Sequence, residues 1–286
     1  MALPFLPVHR GLSRPLVSRR GRIVLHKEGL VMAKTKKPVI VNVDRSNIDE
    51  TGFFCYMSKR KFEGYLRKLA WVKARLDEGM RVKMLKLPER GFIEYIPGEF
   101  AWRAVNAPHH MVIHCLWVVG QSKGKGYGAA LLDACVADAK KAGMDGVAMV
   151  ASPGNWLAGR KILEKNGFKA VDTAPPSFSL MVKTFKPGPA PSFPRDWEAR
   201  AARFGKGLTI ITSGQCPYHP AATQILREAA RREGLKTRVI ELCTAEDVQT
   251  RSPSPYGVFG IVLNGRLLNY HYLTEADFRA ALASKP

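Results

Sequence analysis

The stretch best suited to chemistry is Gln121-Ser122-Lys123-Gly124-Lys125-Gly126-Tyr127-Gly128, which follows the apolar run 111–119. Glycines let a backbone approach an anion with no Cβ in the way. A helix start offers unpaired N–H groups at the positive end of its dipole. Lys123 and Lys125 add charge at that mouth, so the loop reads as a pyrophosphate cradle. The alternative is a glycine turn that only permits tight packing. A dinucleotide fingerprint is related, but it opens its βαβ unit and precedes an acid by about 20 residues. This loop comes late and its spacing differs.

Candidate acids and bases are few. Glu94 stands inside the otherwise apolar Phe92-Ile93-Glu94-Tyr95-Ile96. It is either an outward-facing solvated residue or a site base with a raised pKa. His110 and His114 share one face of their strand, because side chains alternate, and are either catalytic or structural. Alternation points His109, His110, His114 and Cys115 to opposite faces, so no metal is expected there. Farther on, Cys216-Pro217-Tyr218-His219 opens a second helical stretch. The dipole and the imidazole would lower the Cys216 thiol pKa. A dithiol pair would need a cysteine where His219 stands. Cys216 is therefore a single reactive thiol, or part of a fold retained for recognition.

These residues need elements to hold them. Phe62, Tyr65, Leu66, Leu69, Val72 and Leu76 form one apolar stripe, which predicts a helix over about 59–78 capped by Gly79. Lys59, Arg60, Arg67, Lys68 and Lys73 lie on its other face, either solvated or a binding surface. Strands are predicted at 81–87, 91–97, 111–119, 146–151, 168–172 and 178–185, with helices over 127–142 and 155–166. Pro187, Pro189, Pro191 and Pro194 make 186–204 an extended connector. The pattern then restarts: strand 208–212, helix 219–232, strands 236–242, 257–263 and 266–271, and a helix from about 274. Asn264-Gly265 marks a hairpin. The class is α/β throughout.

The 286 residues are enough for two packed cores, and the composition is globular. No run reaches the roughly 20 apolar residues of a membrane span, so no membrane association is expected. Five scattered cysteines form neither a disulfide framework nor a paired zinc spacing, so a reducing, cytoplasmic setting is expected. The net charge of +21 divides into +8 over 1–37, +10 over 38–204 and +3 over 205–286. Residues 1–37 have the composition of a disordered tail or an organelle transit peptide, and Met32 opens an alternative start.

Gln-x-x-Gly-x-Gly after a hydrophobic strand resembles the acetyl-CoA loop of the GNAT acetyltransferases. Gly154-Asn155 and Glu164-Lys165-Asn166-Gly167-Phe168 resemble their second motif, which ends in Lys-x-Gly-Phe. The resemblance spans about 38–185 and implies a GNAT acyl-CoA N-acyltransferase fold with acetyl-CoA as acyl donor. It implies that the backbone of Leu116, Trp117 and Val118 pairs with pantetheine. Gln121, Ser122, Lys123, Gly124, Lys125, Gly126, Tyr127, Gly128 and Asn155 would complete the donor site. Direct attack of an amine on the thioester follows, with the oxyanion met by a backbone N–H of the splayed strand. Some members carry a Glu or His near the start of this strand, which makes His110 the better placed of the two histidines; with Glu94 and Tyr127 it completes the catalytic candidates. Many members place a tyrosine as thiolate acid where Leu163 stands here, which leaves Tyr127, Tyr95 and Cys115 as substitutes.

The βαβ…ββα order over 205–286 resembles a smaller thioredoxin or glutaredoxin fold, with Pro255 at its cis-proline position. Together the two parts resemble the YoaP-like acetyltransferases over roughly 45–280. The implied activity is acetyl transfer to a small-molecule or peptidyl amine, with the tail domain assisting acceptor binding. That attached domain suggests a thiol-containing acceptor. The alternatives are a non-catalytic CoA-binding or protein-interaction module, and a thiol-transfer protein acting through Cys216. Nucleic acid is not required: much of the charge faces an anionic donor.

Overall fold

The computed structural model describes residues 37–153 and 156–284. The expectations for the basic segment 1–36, and for Gly154 and Asn155, fall outside these residues.

The first part of the chain runs β1 (Ile40–Val43), α1 (Ile48–Thr51), α2 (Glu63–Asp77), β2 (Arg81–Leu85), β3 (Gly91–Pro97) and β4 (His110–Val118). It continues through α3 (Tyr127–Lys141), β5 (Gly146–Ala151), α4 (Arg160–Lys165), β6 (Lys169–Ala174) and β7 (Phe178–Thr184). The seven strands form one sheet in the order β1-β2-β3-β4-β5-β7-β6. Only β4 and β5 pair in parallel, joined by the α3 crossover. All six residues of β5 are buried, because both faces of the sheet are covered. Leu131, Leu132, Cys135 and Ala139 of α3 pack on Ile93, Ile113 and Met149 on one face. α2 contributes to the core on the other.

The second part comprises α5 (Trp197–Ala202), β8 (Leu208–Thr212), α6 (His219–Arg232), β9 (Thr237–Glu241), α7 (Ala245–Arg251), β10 (Gly260–Leu263), β11 (Arg266–Asn269) and α8 (Glu275–Ala283). Its sheet order is β11-β10-β8-β9, with β8 and β9 parallel and β10 antiparallel to both β8 and β11. Asn264 and Gly265 turn the hairpin at φ 51° and 74°, the left-handed pair that a tight type I′ turn requires. A continuous apolar core joins Val112 and Val150 of the large sheet to Leu208, Ile211 and Phe259 of the small one. The described residues form one compact unit.

Three features differ from the sequence reading. Helix α2 buries Tyr65, Lys68, Trp71 and Val72, while Phe62 and Leu66 are 50% and 53% exposed. The cause is Lys68, which has a buried carboxylate partner and turns inward instead of lying on a solvated face. The connector 186–204 is held to the body, with Ser192 bridging Asn106, Phe193 buried and α5 near its end. The peptide bonds before Pro88 and Pro176 are cis, and the one before Pro255 is trans.

Candidate active site

Strands β4 and β5 form rungs only from His110↔Gly146 to Ile113↔Met149. β4 continues to Val118 and β5 to Ala151, so residues 114–118 leave their neighbour and present a free edge. On its other side β4 keeps its β3 partners out to Val118↔Gly91, with an extra residue at His114 between Ile113↔Tyr95 and Cys115↔Glu94. A bulge bends and twists the strand that carries it, which accounts for the splay. Leu116 faces the α3 core, whereas Trp117 is exposed.

The glycine loop closes the wide end of this gap. Gly124 and Gly126 both have φ of 78°, and a Cβ on either would meet nothing within 4 Å. Their conformation is what demands glycine, and the space above them is open. Gly126 caps α3, whose first turn carries no acid, so the first N–H groups face that space. Gly128 has a different reason: a Cβ there would lie 2.7 Å from Ile162 Cδ1. Lys123 and Gln121 are exposed. Ser122 is buried, donating to Glu89 Oε2 at 2.6 Å and accepting from the Arg90 N–H at 2.8 Å. Lys125 Nζ meets Glu89 Oε1 at 2.9 Å. Ser122 and Lys125 thus tie the loop to the β2–β3 turn.

Glu94 is neither outward-facing nor solvated. It is 1% exposed and accepts from Lys68 Nζ at 2.9 Å and 2.7 Å. Gln215 Nε2 adds a bond to Glu94 Oε1 at 2.9 Å and lies 3.4 Å from Cys115 Sγ. Burial disfavours the Lys68 ammonium, but the Glu94 carboxylate outweighs it and holds the lysine above its ordinary pKa. Sequence reasoning missed Lys68 and Gln215. The placement of Lys68 three residues from both Tyr65 and Trp71 was the available signal for its buried face.

The histidines are structural in this geometry. His110 Nδ1 donates to the Pro108 carbonyl at 2.8 Å, and its ring fills the space where a Cβ of Gly146 would lie. It stands at the paired end of the β4–β5 ladder, away from the gap. His114 Nε2 accepts from the Trp102 N–H at 2.9 Å. Burial, then Arg103 and Lys68, holds it neutral, well below the usual imidazole pKa. Arg103, also missed, is buried and donates to the His114 and Tyr256 carbonyls at 2.7 Å and 2.9 Å. Tyr127 is half-buried, and burial followed by a hydrogen bond to Glu89 raises its pKa. The Tyr95 hydroxyl donates to Asp138 at 2.6 Å on the α3 side. Leu163 is fully buried in the α3 core.

Cys216 departs from its expected chemistry. Burial pushes its thiol up to about 12, although the Tyr218 N–H works the other way. His219 supplies no positive charge: its Nδ1 donates to the Ser213 carbonyl at 3.0 Å, and burial pushes its pKa down to about 3. A neutral imidazole whose one N–H already meets the Ser213 carbonyl has no donor or charge left to stabilise a thiolate. The turn 215–218 is nevertheless central. Gln215 reaches Glu94, and a Cβ on Gly64 of α2 would lie 2.0 Å from the Pro217 carbonyl oxygen.

The chain is similar in sequence to known proteins. The sequence profile described as the acetyltransferase (GNAT) family matches residues 58–168. The N-acetyltransferase YoaP of Bacillus subtilis (strain 168) is 33% identical over 246 residues, covering 85% of this chain and 97% of its own. Among solved structures, aminoglycoside 6'-acetyltransferase type Ii aligns with a TM-score of 0.41 at 19% identity, over 53% of this chain and 99% of its own. The PaiA N-acetyltransferase of Thermoplasma acidophilum, solved in complex with coenzyme A, aligns with a TM-score of 0.36 at 18% identity. It covers 51% of this chain and 99% of its own.

Proposed function

Because the chain belongs to the GNAT acetyltransferase family, we propose that it moves an acetyl group from acetyl-CoA to an amine on the side of the sheet faced by the second part of the chain. The observation that carries this reading is the β4–β5 ladder, which stops at Ile113↔Met149 while β4 runs on to Val118. A gap between two strands leaves backbone donors and acceptors that an extended amide chain satisfies as a strand would. The pantetheine arm of CoA lies along the backbone of Leu116, Trp117 and Val118, and the CoA pyrophosphate meets the N–H groups of residues 124–128 and the charge of Lys123.

The neutral amine attacks the thioester carbonyl; the C–N bond forms, the C–S bond breaks, and coenzyme A leaves as the thiolate. A backbone N–H of the splayed segment polarises the carbonyl as charge develops on its oxygen. Glu94 is the carboxylate beside the bulge, and Lys68 and Gln215 fix both of its oxygens. It therefore holds the bulge in place as a positioning residue, and the attacking nitrogen gives up its proton to the departing thiolate as the amide forms. With Leu163 in the core, no acid stands at the family's usual position for the departing thiolate.

The sheet order β11-β10-β8-β9, with a parallel β8–β9 pair and a β10–β11 hairpin, supports reading the second part as thioredoxin-like. Its turn 215–218 assists the acceptor side. With a thiol pKa of about 12, Cys216 stays protonated at neutral pH, which argues against thiol transfer. Titration of the full-length protein with acetyl-CoA, followed by CoA release over an amine library, tests the reading. Binding with amine-dependent release is expected; no acetyl-CoA binding would sink it.

A further inference from the structure

Five rings from separate parts of the chain converge beside the open end of the gap. Trp156 is the hub, 6.5 Å from Trp117 of β4, 6.0 Å from Tyr218 and 4.6 Å from Tyr272. Tyr218 continues the cluster to Tyr56 at 4.5 Å and to Tyr272 at 6.4 Å. The pairs meet at interplanar angles between 32° and 69°, the tilted and edge-on arrangements that aromatic quadrupoles prefer. None of the five rings is fully buried, and Trp117 is 36% exposed. Tyr56, Trp156 and Tyr272 pack against the edge of the main core, and all five rings stay partly exposed.

Two further features mark the cluster as a binding wall. Tyr56 and Trp156 have φ of 57° and 74°, a left-handed backbone that bulky residues rarely adopt. The Tyr272 hydroxyl is buried without a hydrogen-bond partner among the described residues, an unpaired group that a ligand atom would satisfy. The titratable groups acting on Tyr218 and Tyr272 are thiols and phenols. Glu94, the carboxylate that acts on Cys216 of this turn, is already neutralised by Lys68. A polycationic ligand finds no counter-charge here, and burial favours the neutral amine that attack requires. The turn 215–218 covers this side, which fits a small molecule better than the side chain of a folded protein.

We propose, resting on the acetyl-transfer reading above, that the acceptor is a small arylalkyl amine. Its ring packs on Trp117, Trp156 and Tyr218, and a polar atom meets the Tyr272 hydroxyl. With full-length protein and acetyl-CoA, CoA release is measured for 2-phenylethylamine and tryptamine against spermidine and lysine. The aryl amines are expected to have kcat/KM higher by at least about tenfold. Trp156→Ala is expected to raise KM for 2-phenylethylamine about tenfold, without changing KM for acetyl-CoA. Tyr272→Phe keeps the ring and loses the hydroxyl; it is expected to raise the same KM by less. A preference for spermidine or lysine, no turnover of either aryl amine, or wild-type kinetics in both variants overturns the proposal. None of these outcomes touches acetyl-CoA binding. Failure of acetyl-CoA to bind overturns the transfer reading, and this proposal with it.

Discussion

Glu94 illustrates how one residue's meaning depends on its partners. An isolated carboxylate in an apolar strand is costly, yet Lys68 and Gln215 between them occupy both oxygens. Removing one member leaves the other charge buried and unpaired. Lys68→Met is therefore expected to cost about 3–5 kcal/mol in urea unfolding, far above a typical surface change. The folded-state pKa of Lys68 is raised, so its contribution is fully present below the unfolded value near 10.4. It is lost as pH rises through the folded value, and that alkaline loss should be missing in Lys68→Met. His219 acts at the other end of the scale. Its folded pKa of about 3 lies below the ordinary 6.5, so the unfolded chain binds the proton first on acidification. Stability should fall from about pH 6.5 toward pH 3. His219→Gln should flatten that slope, measured as urea midpoints at several pH values.

At the scale of elements, the α3 start and the β4 edge carry the donor site, and glycine conformation decides the first of them. Gly126→Ala places a Cβ in open space but at a φ of 78°, which costs about 1–2 kcal/mol. If that strain tilts the first turn away from the phosphates, KM for acetyl-CoA should rise about tenfold, read from initial rates. An unchanged KM would mean that the loop does not hold the donor. Element positions were largely legible from sequence: β3, β5, β8 and α6 begin and end where periodicity and glycines put them. The inward face of α2 was legible only through the Tyr65-Lys68-Trp71 spacing, which hydropathy alone overrides. Hydropathy counts Leu66 as core and Lys68 as surface, and only a carboxylate from another strand reverses that order.

At the scale of the molecule, one apolar core spans both sheets, and the turn 215–218 is pressed against α2. Gly64→Ala puts a Cβ 2.0 Å from a backbone oxygen, so the chain must shift. We expect a loss of about 1–3 kcal/mol in thermal unfolding and a fall in kcat as Gln215 withdraws from Glu94. A wild-type melting curve with wild-type kcat would show that this contact does not align the two parts. The shared core also predicts that neither part behaves as an independent module, because separation would expose Leu208, Ile211 and Phe259 on one side and Val112 and Val150 on the other.

The sequence by itself determined the α/β order, the glycine loop, the hairpin at Asn264-Gly265 and the His219 that stands where a second cysteine of a dithiol motif would be. Each of these depends on local spacing or backbone conformation, which a linear string records directly. Only the tertiary structure decided that β4 leaves β5 after Ile113, that Lys68 and Gln215 converge on Glu94, and that Cys216 carries a raised thiol pKa. It also brought five aromatic rings to one edge of the gap. Those features join residues up to 216 positions apart, from Tyr56 to Tyr272. Burial and pairing across such distances are properties of the packed chain, and no local pattern encodes them.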